Sequence, residues 1–182
     1  MMIDYQIGSQ CSYFAKKYCE KHPEFESQKR HHAIIVAIST KKFWHRLCKN
    51  YPYSGGTVEL INHLLEKKLP YKVYECRTID AFDAIIRNDN AAILWIFGHG
   101  SKGGLLILNE KVDYAKYDTS EYASHKKKEI YQLHCNKGGE KSLTKILASG
   151  NGIDTGYRNG KRTAYNNEAA IQKLFETEFS KL

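Results

Sequence analysis

Four short runs of the chain are continuously apolar or alternate in polarity, and between them apolar positions recur at helical spacing. Residues 33–38 (AIIVAI) form an unbroken apolar, β-branched run, the pattern of a strand buried on both faces. Residues 71–76 (YKVYEC) alternate and predict a second strand, and residues 91–97 (AAILWIF), the most apolar run in the chain, a third. Residues 130–133 predict a fourth, ending at His134-Cys135-Asn136. Between the first two strands, Val58, Ile61, Leu64 and Leu65 lie on one helical stripe within residues 57–68, and Pro70 stops that helix. Ala81, Phe82, Ile85 and Ile86 mark a second helix over 79–87, ended by Asn88-Asp89-Asn90. The third strand stops abruptly at Gly98-His99-Gly100. Residues 105–108 and 111–114 then flank Asn109-Glu110 and predict a hairpin. Further helices are expected over 120–128, over 141–149 with Gly150 closing it, and over 166–182, with Ala170, Leu174, Phe175 and Phe179 on one face.

Alternation of strands and helices in this order predicts an α/β domain: a mostly parallel central sheet flanked by helices on both faces. The expected organisation is a single domain over residues 1–182. Residues 1–30 form an N-terminal extension that admits a short helix at 12–22. Sheets of this kind bind ligands beyond the carboxyl ends of their strands. His99 and Cys135 each fall just past such an end, so topology alone directs two reactive side-chain types to the same edge.

Composition narrows the reading. A chain of 182 residues with 42% hydrophobic content suits one sizeable core. The net charge of +8 favours acidic partners. The lysines are scattered, however, and the densest run, Lys126-Lys127-Lys128, fits a solvated helix end or strand entry better than a nucleic-acid surface. The polar residues 1–30 lack the apolar centre of a signal peptide, and no stretch reaches the roughly 18 apolar residues of a membrane span. A cytoplasmic location follows as the expectation, with reduced thiols. The cysteines Cys11, Cys19, Cys48, Cys76 and Cys135 are odd in number and contain no CxxC pair, which argues against a disulfide framework or a zinc knuckle. His31-His32 with His45 and Cys48 is a weak metal set, since a helix-face pair needs two further ligands.

A cysteine nucleophile requires a thiolate, and a nearby imidazole generates it by taking the proton. The oxyanion that develops next requires N–H donors. Gly100, directly after His99, permits close backbone approach to a substrate, and the backbone N–H of Cys135 supplies a second donor. Gly138 and Gly139 let the following loop turn away. His134, adjacent to the cysteine, is expected to pack or to face solvent rather than join the pair, because neighbours on a strand point to opposite faces. Asp113 and Asp154 could line a pocket for a basic side chain, although Asp113 could equally cap a turn. Tyr157 and Arg158 stand in a Gly- and Asn-rich segment suited to the wall of a groove. Gly103-Gly104 lacks the flanking residues of a phosphate loop.

The stretch AAILWIFGHGSKGGLLILNEKVDY resembles the caspase-like segment in which an apolar strand ends in His-Gly and runs into a small hairpin. KKEIYQLHCNKGG resembles the next strand of that family, which ends in the nucleophilic cysteine and a glycine-containing loop. HHAIIVAIST and YKVYEC match the first two strands, and EAAIQKLFETEFSKL the last helix of bacterial members, including CHAT-type domains. The resemblance covers residues 30–182 as a pattern of elements. It implies a cysteine endopeptidase acting on a protein or peptide, with His99 as general base and acid and Cys135 as nucleophile. Gly100 and Cys135 would form the oxyanion hole. No metal or organic cofactor is implied, and an activating protein partner is compatible. Where caspases carry Gln-Ala-Cys-Arg-Gly, this chain has Leu133-His134-Cys135-Asn136-Lys137-Gly138. Two other classes stand beside this reading: a non-catalytic protein-binding module of the same fold, and a basic nucleic-acid-associated protein. The last lacks an acidic cluster for Mg²⁺ at the strand ends.

Overall fold

The computed structural model describes residues 30–38, 57–101, 103–108, 110–134, 142–150 and 152–154. Strands β1 (His31–Ala37), β2 (Tyr71–Cys76), β3 (Ala91–Phe97), β7 (Glu129–Leu133) and β8 (Gly152–Asp154) make one sheet in the order β2-β1-β3-β7-β8, and every pairing is parallel. Helix α1 (Thr57–Glu66) connects β1 to β2, and α2 (Ile79–Arg87) connects β2 to β3. After β3 come three short strands, β4 (His99–Ser101), β5 (Gly104–Ile107) and β6 (Glu110–Asp113), which form a separate antiparallel sheet. Two 3₁₀ turns, Tyr114–Tyr117 and Ser120–Tyr122, lead to β7, and α3 (Leu143–Leu147) precedes β8. The expected α/β class with a parallel sheet is therefore present. β2 and β3 coincide with the expected runs, β7 begins one residue earlier than expected, and β1 begins two residues earlier and ends one residue short, at Ala37.

The runs form strands because both sides of β1 and β3 are buried, from His31 to Ala37 and from Ala91 to Phe97. With every side chain covered, β-branched and aromatic residues pack well and no polar stripe is needed. Side chains of opposite parity separate into two clusters. Ile34, Val36, Ile93, Trp95 and Leu133 pack with Leu60, Ile61 and Leu64 of α1. Ala33, Ile35, Leu94, Ile96 and Ile130 pack with Phe82, Ile85 and Ile86 of α2 and with Leu143 and Leu147 of α3. Thr78 starts α2 by accepting a hydrogen bond from the Ala81 N–H at 3.1 Å, and Ser142 starts α3 in the same way from the Lys145 N–H at 3.2 Å.

Several segments depart from expectation. Residues 120–128 do not form a helix. Tyr117 and Tyr122 bury their rings against α2 side chains, and Lys127 enters a parallel bridge with Ala148. The Lys127 N–H donates to Leu147 O at 2.9 Å, and the Ser149 N–H to Lys127 O at 2.8 Å. Main-chain pairing of this kind excludes a helix, and a polar segment this short cannot offset the cost of helix nucleation. The helix expected over 141–149 shortens to Leu143–Leu147 for the same reason, since Ala148 is drawn into that bridge. The hairpin is present but shifted by one residue at each strand, and it gains β4 as a third strand. The helices expected at 12–22 and 166–182 lie outside the described residues.

Several polar residues inside the sheet are hydrogen-bonded there, two of the pairs linking neighbouring strands and one lying within β7. His31 Nε2 and the Tyr74 hydroxyl are 2.7 Å apart. Trp95 Nε1–H donates to His32 Nδ1 at 3.1 Å, and the Tyr131 hydroxyl donates to Glu129 Oε2 at 2.6 Å beneath a stacked Trp95–Tyr131 pair. Protonating His32 at Nδ1 removes the acceptor for Trp95. Burial, reinforced by the nearby charges of His31, Lys128 and His63, pushes the His32 pKa down to about 3. An unfolded histidine takes up its proton near pH 6.5, whereas folded His32 resists until about 3. Stability from this group is therefore fully present above pH 6.5 and is lost as pH falls through that window. We expect urea-unfolding free energy to decline between pH 7 and 5 with a slope approaching about 1.4 kcal/mol per pH unit from His32. In His32→Gln that part of the slope should vanish, and an unchanged slope would assign the loss to other groups.

Candidate functional site

The strand order β2-β1-β3 reverses direction at β1: the chain steps from β1 to β2 on one side, then returns to β3 on the other. Crevices in open parallel sheets form at the carboxyl ends on either side of such a reversal. The residues beyond β3 are Gly98 and His99. Gly98 has φ +155°, and a Cβ there would lie 2.9 Å from Ala37 Cβ and 3.3 Å from Ala37 O. Only a residue without a side chain lets β3 pass this close to the end of β1 before it turns into β4.

The small sheet is docked onto the same edge. The Leu108 N–H donates to Ile38 O at 2.8 Å, which fixes the β5–β6 turn to the carboxyl end of β1. Within the sheet, Gly100, Leu105 and Val112 are cross-strand partners, and Leu105 and Val112 are buried. His99, Leu106 and Lys111 form the adjoining row, with His99 and Lys111 exposed. Successive strand residues face opposite ways, so burying Leu105 and Val112 turns the His99 row outward. Gly104 allows the tight pairing: a Cβ there would lie 2.2 Å from Val112 O.

On the neighbouring strand, Leu133 of β7 pairs with Phe97 of β3. His99 and Cys135 are therefore each two residues beyond the same rung of the ladder. The structure brings His99 and the end of β7 to one sheet edge. Cys135, the second half of the expected pair, lies outside the described residues with Asn136, Gly138 and Gly139. His134 is described. It is buried and its Nε2 is 2.7 Å from the Tyr114 hydroxyl, so of the two environments expected for it, packed or solvent-facing, it takes the packed one.

The other candidates fall as follows. His31 and His32 are buried at the amino end of β1 in the contacts given above, while His45 and Cys48 lie outside the described residues. Among the described residues, no group of three or more His, Cys, Asp or Glu side chains is placed to hold a metal ion. Asp113 caps the first 3₁₀ turn, accepting from the Ala115 N–H at 3.0 Å, and also pairs with Lys111 Nζ at 3.2 Å. Asp154 ends β8, and Tyr157 and Arg158 lie outside the described residues. The lysine run is engaged rather than a loose solvated end. Lys126 Nζ donates to Ile146 O at 2.6 Å, and buried Lys127 donates to Asn88 O at 2.7 Å. Burial pushes the Lys127 pKa down to about 8 despite nearby Asp89. Cys76 is fully buried, and burial beside Glu75 pushes its thiol pKa up, so it is a poor nucleophile. A cavity of about 310 Å³ between β2 and α2, lined by Tyr74, Cys76, Asp80 and Ile85 among others, lies on the far side of β1 from His99.

Sequence reasoning missed Gly98 and Tyr114. The signal for Gly98 was present, a glycine between an apolar run and a histidine. Nothing in the sequence linked Tyr114 to His134, twenty residues away.

No protein-family model matches the chain, and no curated protein matches it in sequence. Among the described residues, no helix is long and apolar enough to cross a bilayer.

The tight crossing at Gly98 generates a prediction. Gly98→Ala should cost about 1–3 kcal/mol in unfolding free energy, through overpacking against Ala37 and a disfavoured φ. Gly103→Ala, at φ +66° with no atom within 4 Å of the added Cβ, should cost only about 1 kcal/mol. Denaturant midpoints compare the two, and equal losses would show that the Gly98 crossing relaxes freely.

Proposed function

We propose that this chain is a cysteine endopeptidase of caspase-like architecture, with helices flanking both faces of the sheet, that cleaves a protein substrate in the cytosol. The observation that carries the reading is the placement of His99. It is an exposed imidazole beyond the carboxyl end of a fully buried parallel strand, where the strand order reverses, and it opens a small antiparallel sheet. The adjacent strand in space is β7, whose chain continues through His134 to Cys135.

In this reading His99 takes the proton from the Cys135 thiol, and the thiolate attacks the scissile carbonyl carbon. The resulting oxyanion is held by the backbone N–H groups of Gly100 and Cys135. The C–N bond breaks as His99 returns the proton to the leaving amine, leaving a thioester. Water then attacks the thioester with His99 as base, and the released thiol recovers the proton. Every group is a side chain or a backbone amide, so the chemistry requires no cofactor. The net charge of +8 favours acidic protein surfaces as substrates, and an activating partner protein is compatible with the scheme.

Peptide mapping after brief iodoacetamide treatment at neutral pH tests the reading. Cys135 should alkylate fastest, and buried Cys76 should remain unmodified. Cys135→Ala should abolish cleavage in a peptide-library assay, and His99→Ala should lower it by about 10² or more. Cleavage retained by pure Cys135→Ala defeats the proposal. Wild-type protein inert to peptides, with Cys135 no more reactive than Cys11, Cys19 or Cys48, favours the non-catalytic binding module.

A further inference from the structure

Tyr114 touches both arms of the candidate site. Its backbone N–H donates to Gly103 O at 3.0 Å, in the turn that joins β4, the strand of His99, to β5. Its ring is fully buried, and its hydroxyl lies 2.7 Å from His134 Nε2, with the two rings tilted at 53° and their centroids 5.8 Å apart. Asp113 fixes the backbone at this point by capping the turn that Tyr114 begins. One residue is thus bonded through its main chain to the hairpin that presents His99. Through its side chain it is bonded to the residue immediately before Cys135.

The two strand ends are treated differently. Beyond the Phe97–Leu133 rung, β3 continues with Gly98, which has no side chain and lets the chain swing into the second sheet. β7 continues with His134, a residue only 1% exposed, whose ring is bonded to Tyr114. A buried histidine carries a desolvation cost that its hydrogen bonds must offset, so its position is narrowly defined.

We propose that the Tyr114–His134 pair is a positioning device that locks the carboxyl end of β7 to the His99-bearing hairpin, so that thiol and imidazole keep a fixed separation. This rests on the His99–Cys135 reading above. Neither residue touches substrate; both act through the geometry of the dyad. A hydroxyl deletion that leaves the ring in place should loosen the separation without emptying the core.

The test measures the iodoacetamide alkylation rate of each cysteine against pH in the full chain, by peptide mapping. The proteins are wild type, Tyr114→Phe, His134→Gln, His99→Ala and the double variant Tyr114→Phe/His99→Ala. In wild type, Cys135 should react fastest with a low-pH onset. Tyr114→Phe should slow Cys135 about tenfold at pH 7, the scale of one lost buried hydrogen bond. Its onset should move upward by about one pH unit, while the other four cysteines stay unchanged. His134→Gln, which keeps a hydrogen-bonding side chain, should fall between the two. The double variant should be no slower than His99→Ala alone, because the pair acts only through the imidazole. A fast wild-type Cys135 that is equally fast in Tyr114→Phe overturns the positioning role and leaves the dyad standing. A further slowing in the double variant overturns the coupling through His99. A wild-type Cys135 no more reactive than its fellows removes the dyad, and the positioning role falls with it.

Discussion

A parallel sheet covered on both sides must bury every side chain along its central strands, and each polar group it buries costs free energy that a hydrogen bond inside offsets. This constraint governs the molecule. β1 and β3 meet it with alanine, isoleucine, valine, leucine, tryptophan and phenylalanine. Four of the buried polar side chains reach across to another element. His31 reaches Tyr74 of β2, His32 is bonded by Trp95 of β3, and Gln132 accepts from the Thr144 N–H of α3 at 2.8 Å. His134 reaches Tyr114 beyond the small sheet. These contacts fasten neighbouring elements in register, so the groups that are most costly to bury also align the scaffold.

The helix α2 shows the same logic at the surface of the core. Asp83 accepts from the Tyr117 hydroxyl and from Lys116 Nζ, the latter at 2.7 Å. One turn further along, Arg87 pairs with Glu121 and donates to the Tyr122 hydroxyl at 3.0 Å. The i, i+4 spacing of Asp83 and Arg87 places both on one helical face. That face holds the irregular chain between β6 and β7, and so the hairpin behind His99 is supported by a regular element.

The strands and first two helices were legible because their signals are local. The runs at 33–38, 71–76 and 91–97 cannot be amphipathic helices, and the stripe Phe82, Ile85, Ile86 cannot be a strand. Legibility failed where a segment's conformation depends on distant partners. The polar residues 120–128 look helical by propensity, yet Lys127 pairs with the backbone of Ala148, and no local pattern announces that. β4 was hidden because three residues, one of them glycine, carry no periodicity; Leu105 and Val112 hold it in place from across the hairpin. The position of His99 at a strand end was readable. Its outward face was not, because that follows from which side of the small sheet is buried.

The strand order also has a consequence for synthesis. β1 lies in the interior of the sheet, yet it precedes both of its neighbours in the chain. Its second partner, β3, ends at Phe97, about sixty residues later. At a translation rate of ~5–20 residues per second, this apolar segment waits roughly 3–12 s after emerging before both its edges can be satisfied. During that interval it presents unpaired amides and β-branched side chains, the features that recruit other nascent chains. The segment is therefore most open to intermolecular pairing while the chain is still being made, before β2 and β3 can cover it.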